Sequence, residues 1–161
     1  MRRPLIVLVI LSGMFFLSIA AAHACGDKAL RIGRGIRFQR AVNPKSILIY
    51  IPSNVTRASQ VQSLLKKVGH KPNWVQSENN LSEALKSGKY DLVFTDLGAA
   101  QSLAPQIGNF SSKAVLVAVV SEGTKAEVRA AQKQYNNIVK DPHNAISYLE
   151  AIDQAMRSKK G

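Results

Sequence analysis

The sequence predicts an α/β domain of doubly wound architecture, with a five-stranded parallel sheet covered by helices on both faces. Two observations carry that prediction. Short apolar runs without polar alternation, such as Ile47 to Ile51 and Ala114 to Val120, read as strands buried on both sides. Between them lie stretches whose apolar residues recur at i, i+3, i+4 and i+7, the stripe of a helix packed on a sheet. Strand and helix alternate five times, and parallel strands joined by helices require right-handed crossovers.

The first unit follows Asn43-Pro44: the strand Ile47 to Ile51, then a helix with core stripe Val61, Leu64, Leu65 and Val68, ended by Gly69. Trp74-Val75-Gln76 is a short second strand. Asn80-x-x-Glu83 has the form of a capping box and opens a helix around Leu81, Ala84 and Leu85, which stops at Gly88. Asp91 to Thr95 is the third strand, and it delivers Asp96 to its carboxyl end, where open α/β sheets gather ligands and chemistry. A looser helix around Leu103 and Ile107 is interrupted by Pro105, and Ala114 to Val120 is the fourth strand. Thr124-x-x-Glu127 is a second capping box, opening an alanine-rich helix through Gln134. Ile138-Val139 is the fifth strand. Asp141-Pro142 reads as a cap followed by proline at the first helical position, before a last helix faced by Ala145, Ile146, Leu149, Ile152 and Met156.

The amino terminus carries an address. Arg2 and Arg3 precede an apolar stretch from Leu5 to Ala22, and Ala22-His23-Ala24 is an A-x-A cleavage signal, so residues 1–24 read as a signal peptide. The body is expected outside the cytoplasm, periplasmic or extracellular. An uncleaved anchor is the alternative, given the length of the apolar stretch. Cys25 would be the first mature residue and the sole cysteine, which excludes an intramolecular disulfide and leaves a free or intermolecular thiol, or a lipid anchor. With no CxxC and no His/Cys cluster, no metal and no cofactor are expected. His70 and His143 read as surface or capping histidines, and the sequence contains no nucleophile elbow.

The net charge is +12, and removal of Arg2 and Arg3 with the signal peptide leaves +10. Such a balance favours anionic partners, which outside the cytoplasm are acidic proteins, glycans or lipid headgroups rather than nucleic acid. Residues 25–45 form a basic segment in which Arg31, Arg34, Arg37 and Arg40 recur every third position, a candidate contact for an anionic surface. Gly33 and Gly35 oppose a helix there, and Leu30, Ile32, Ile36 and Phe38 suit a short hairpin instead. The remainder, 46–161, is one domain with no linker or internal repeat.

Several of these residues carry a resemblance. Ile47-Leu48-Ile49 with Leu64-Leu65-Lys66-Lys67-Val68-Gly69-His70, and Tyr90-Asp91-Leu92-Val93-Phe94-Thr95-Asp96-Leu97, look like the first and third strands and first helix of the receiver domains of two-component response regulators, the CheY-like family. The likeness spans residues 46 to 158. It implies a flavodoxin-like strand order 2-1-3-4-5, with Asp96 at the phosphoacceptor position. It also implies that Ser121, ending the fourth strand, bonds a phosphoryl oxygen and that Lys140, ending the fifth, neutralises its charge.

The family's pattern breaks at the metal. An acidic pair at the end of the first strand should hold Mg²⁺, and this chain has Ile51 and Pro52 there, which offer no ligand. Gly98-Ala99-Ala100 replaces the usual Met-Pro, Asn137 stands at the aromatic switch position, and Pro142 comes one residue late. The resemblance therefore implies a degenerate receiver: not an enzyme, and a protein-interaction module whose basic face of Lys125, Arg129, Lys133 and Arg157, with Lys159 and Lys160, meets an acidic partner. Two alternatives stand beside it: phosphate acceptance on Asp96, and capture of a small anionic ligand where Ser53, Asn54, Asp96 and Ser121 converge. If chemistry is lost, Asp96, Ser121 and Lys140 are expected to form an ion pair with a neighbouring hydroxyl that closes the top of the sheet. Tyr50, Trp74 and Phe94 read as core or sheet-face aromatics. Oligomeric state has no signature in the sequence.

Overall fold

The computed structural model describes residues 29–32, 35–110 and 114–159, with side chains from residue 39 onward. Residues 1–24, expected above to be a signal peptide, lie outside the described residues with Cys25, Arg34 and Lys160, as do the side chains of Arg31 and Arg37.

Two strands, β1 (Ala29–Ile32) and β2 (Gly35–Phe38), pair antiparallel with Leu30 opposite Arg37, which is the hairpin that the alternation suggested. The main sheet then alternates with helices: β3 (Ser46–Tyr50), α1 (Val55–Lys67), β4 (Lys71–Trp74), α2 (Glu78–Ser87), β5 (Leu92–Asp96), α3 (Leu97–Phe110), β6 (Val115–Val119), α4 (Lys125–Gln134), β7 (Ile138–Val139) and α5 (Ala145–Ser158). Its order is β4-β3-β5-β6-β7, all parallel, so counted from β3 it is 2-1-3-4-5.

Alternate residues of the central strands serve two cores. Ile47, Ile49, Leu92, Phe94, Val117 and Val119 pack under α1 and α5, where Val61, Leu65, Leu149 and Ile152 meet them. Leu48 and Val93 face Leu81, Leu85, Leu103 and Ile107 of α2 and α3 on the other side. Each fully buried aliphatic contributes about 1.5–3 kcal/mol, so the sheet is the stable centre of the domain.

Local details depart from the sequence reading in four places. β4 begins at Lys71, three residues earlier than Trp74, and includes Pro72, which an edge strand tolerates because one side of its backbone needs no ladder partner. The cap of α2 is Ser77, whose hydroxyl accepts the Asn80 N–H, so the Asn80-x-x-Glu83 box lies inside the helix. α3 runs through Pro105 unbroken, because Ala100, Leu103 and Ile107 hold it on the sheet despite the missing N–H. α5 is capped by Asn144, while Asp141 closes the preceding turn by accepting the His143 N–H at 3.0 Å.

His70 is also buried rather than at the surface. Its Nδ1 accepts the Lys45 N–H at 3.1 Å, and the Ala41 N–H donates to the Val68 carbonyl at 2.7 Å. Gly69, with φ of +91°, makes the left-handed turn that ends α1 and leaves room for the Arg40 side chain. Together these contacts strap residues 40–45 across the edge of the sheet where its strands begin.

Candidate functional site

The carboxyl ends of β3, β5, β6 and β7 bring Ile51, Pro52, Asp96, Ser121 and Lys140 to one edge of the sheet. Asp96 is 8 % exposed, the last residue of β5 and the residue before α3. Its Oδ1 accepts the Ala99 N–H at 2.9 Å, so the carboxylate caps α3, where the helix dipole favours a negative charge. Its Oδ2 accepts the Ser53 N–H at 3.1 Å. One carboxylate thus ties the β3–α1 loop to the start of α3.

Ile51 is 2 % exposed and part of the core under α1 and α5, and Pro52 is exposed. Neither side chain has an oxygen to give, and among the described residues no group of three or more His, Cys, Asp or Glu could hold a metal ion. The Mg²⁺ implied by the family resemblance does not fit the residues present.

Ser121 and Lys140 share the edge with Asp96, yet the expected ion pair is not formed among the described residues. Lys140 is exposed and points its charge to solvent. The backbone of Ser121 is committed elsewhere: its N–H and those of Glu122 and Gly123 all donate to the Glu127 carboxylate, at 3.0 Å for the latter two. Burial pushes the Glu127 carboxyl up, but the hydrogen bonds from this loop outweigh it and hold the group below its ordinary value of 4.5. Gly123, with φ of +72°, allows the loop to curl around the carboxylate, and its missing side chain admits Pro142 and the Lys140 carbonyl.

Glu127 is the residue that sequence reasoning undervalued. The signal was there, since Thr124 does cap α4 by accepting the Glu127 N–H at 3.3 Å. A capping box predicts that the glutamate returns to the cap residue's own amide. Here it reaches one turn of chain further and gathers the loop instead.

The other candidates fall as follows. Asn54 accepts the Arg57 N–H at 2.8 Å and caps α1, so of the four converging residues Asn54 and Asp96 use their side chains within the fold, while Ser53 and Ser121 contribute backbone amides. Lys125, Arg129, Lys133 and Arg157 are exposed, the first three at i, i+4 and i+8 along α4, while Lys159 pairs with Asp91 at 3.6 Å. Tyr50 and Phe94 are buried core aromatics, and Trp74 packs half-buried against the core under α1 and α5. Phe94 meets Tyr148 edge-to-face at 6.0 Å. The Tyr148 hydroxyl donates to the Pro142 carbonyl at 3.1 Å, and burial pushes its pKa up to about 12, so it stays a donor fastening the β7–α5 loop.

No protein-family profile and no curated protein matches the chain. Solved structures do. The chain is similar to a CheY-like response regulator receiver domain from Methylobacillus flagellatus, with TM-score 0.57 and 22% identity over 70% of this chain and 99% of that one. It is similar to a response regulator protein from Burkholderia pseudomallei, solved with a phosphorylated aspartic acid, calcium ion and citrate, with TM-score 0.55 and 18% identity over 73% of each chain. A signal receiver domain of an HD domain-containing protein from Pseudomonas fluorescens gives TM-score 0.52 and 14% identity over 73% of this chain and 98% of that one. The chain therefore has the receiver fold of response regulators, at 14–22% sequence identity to these structures.

Proposed function

We propose that this chain is an exported pseudo-receiver, a non-catalytic module that binds a protein partner and is not charged with phosphate. One observation carries the reading: both oxygens of Asp96 are engaged by backbone amides of the fold, at 2.9 and 3.1 Å, beside an edge with no metal ligand at Ile51 or Pro52. A carboxylate held in that way works as a clamp. Of the residues that would assist phosphoryl transfer, Ser121 has its backbone amide drawn to Glu127, and Lys140 is exposed without an ion pair to Asp96.

The partner surface is the outer face of α4, where Lys125, Arg129 and Lys133 align on a helix that buries only Ala131 fully. Such a stripe suits an acidic protein surface. Export rests on Arg2, Arg3, the apolar stretch to Ala22 and the Ala22-His23-Ala24 signal.

Intact mass after incubation with a small phosphodonor and Mg²⁺ tests the chemistry, with Asp96→Asn as control. No adduct is expected on either protein. A phosphoryl adduct lost in Asp96→Asn would restore receiver chemistry and remove the proposal. For the surface, Arg129→Glu with Lys133→Glu should release an envelope partner that the parent chain captures, and retention of every partner would exclude this face.

A further inference from the structure

A parallel sheet sends every strand in one direction and every crossover helix back, so all helix carboxyl ends and all strand starts lie at the same edge. In this chain that edge is a positive pole. Four of the five helices end on a cation, with Lys67, Lys86, Lys133 and Arg157 in their last turns. Helix dipoles reward cations there, which explains part of the pattern. They do not explain Lys45, Lys71 and Lys89, which precede or open strands, since sheets carry only small dipoles. Among the described residues Asp91 is the acid at the strand starts, and Lys159 pairs with it at 3.6 Å, while Glu83, Glu150 and Asp153 lie along the bodies of α2 and α5. The acids Glu78, Asp96, Glu122, Glu127 and Asp141 lie at the opposite edge or the helix starts beside it.

A second observation is independent of charge. Among the described residues the exposed large hydrophobics are Val42 at 80 %, Val55 at 53 % and Phe110 at 41 %, and two of the three belong to the positive pole. Phe110 ends α3 with the Lys86 ammonium 5.9 Å from its ring centroid, and Val42 lies in the strap that Ala41 and Lys45 fasten to Val68 and His70. Exposed apolar groups set among lysines are the composition of a lipid–water interface, where the ring enters the headgroup region and the cations meet phosphates.

We infer that the amino-terminal edge of the sheet docks on an anionic phospholipid surface, with Lys67, Lys71 and Lys89 contacting headgroup phosphates and Phe110 and Val42 inserting between them. Docked this way, the domain turns Asp96, the Glu127 loop and the start of α4 away from the membrane. The surface meets the outer face of α4 only at Lys133, which takes no part in these contacts, and it stands whether or not a protein partner exists.

Co-sedimentation of the full chain with vesicles tests it, comparing phosphatidylcholine alone with a mixture containing about 30 % phosphatidylglycerol. The apolar stretch near the amino terminus partitions into both, so the difference between them isolates the docking. Combined Lys67→Gln, Lys71→Gln and Lys89→Gln should lower partition into the anionic vesicles on the order of 100-fold, about fivefold per lysine, an effect that fades as salt rises. Phe110→Ala should lower it at every salt concentration. Arg57→Gln with Lys140→Gln, at the opposite edge, should leave it unchanged. Equal loss in that control pair would show that net charge alone matters and overturn the assignment. Unchanged partition in the triple variant would overturn it too, and so would lysine-dependent binding to heparin with no preference for anionic vesicles.

Discussion

The helices α4 and α5, which flank β6 and β7, are held very differently. α5 buries Ser147, Tyr148, Leu149, Ala151, Ile152 and Ala155 against the sheet, and its Tyr148 both stacks on Phe94 and fastens the preceding loop. α4 buries Ala131 alone, helped by half-buried Val128 and Tyr135 against Ala118, Val120 and Ile138. The difference is one of area removed from water, and hence of local stability. One side of the sheet anchors the fold. The other carries a helix retained largely by its amino-terminal capping, with its charged face free for a partner.

That contrast can be broken first at Phe94. Phe94→Ala should cost about 3–5 kcal/mol, because it empties the centre of the α1–α5 core and strands Tyr148, and chemical denaturation would measure it. A loss below 1 kcal/mol would show that the anchored side is not where the stability resides. Asp96→Ala should come next, at about 1–3 kcal/mol, since the Ser53 and Ala99 amides lose their acceptor at a buried position.

Thr124→Ala should cost about 1 kcal/mol by uncapping α4, and hydrogen exchange should show α4 opening faster than α5 even in the parent chain. The Glu127 loop adds a pH dependence. Its carboxyl is held below the ordinary 4.5 in the folded state, so its contribution is complete above that value and disappears as pH falls through the lower, folded one. Thermal melts of Glu127→Gln and the parent should differ at pH 7 and converge in acid. The smallest effect on stability is expected from Arg129→Glu, within about 0.5 kcal/mol, because the side chain is exposed and off every core.

The alternation of strands and helices and the helix faces were legible because they depend on apolar runs and stripes, which a single sequence displays directly, whereas the order of the strands in the sheet came from the family resemblance. Leu81, Leu85, Leu103 and Ile107 fall in the core as their spacing required. Caps were harder to read: Ser77 and Asn80 both suit a helix start, and only the length of chain needed to return from β4 chooses between them. The position of Asp96 was legible from strand β5, but its partners were not, since they are amides of Ser53 and Ala99, and backbone groups leave no mark on a sequence. Ser121 and Lys140 were placed at the correct strand ends, yet a contact between side chains depends on rotamers that compete for several partners. Glu127 won that competition for Ser121, and no periodicity records it.

The clamp at Asp96 also has a consequence for the order in which the chain assembles. Ser53 and Asp96 are 43 residues apart, and their hydrogen bond can close only after β3 and β5 have paired along Ile47–Tyr50 and Leu92–Thr95. It is a late contact, absent from any folding nucleus built on the strands. Removing it should therefore speed unfolding and leave the folding rate nearly untouched, so that the same carboxylate which fixes the edge of the sheet also sets how long the native state lasts once formed.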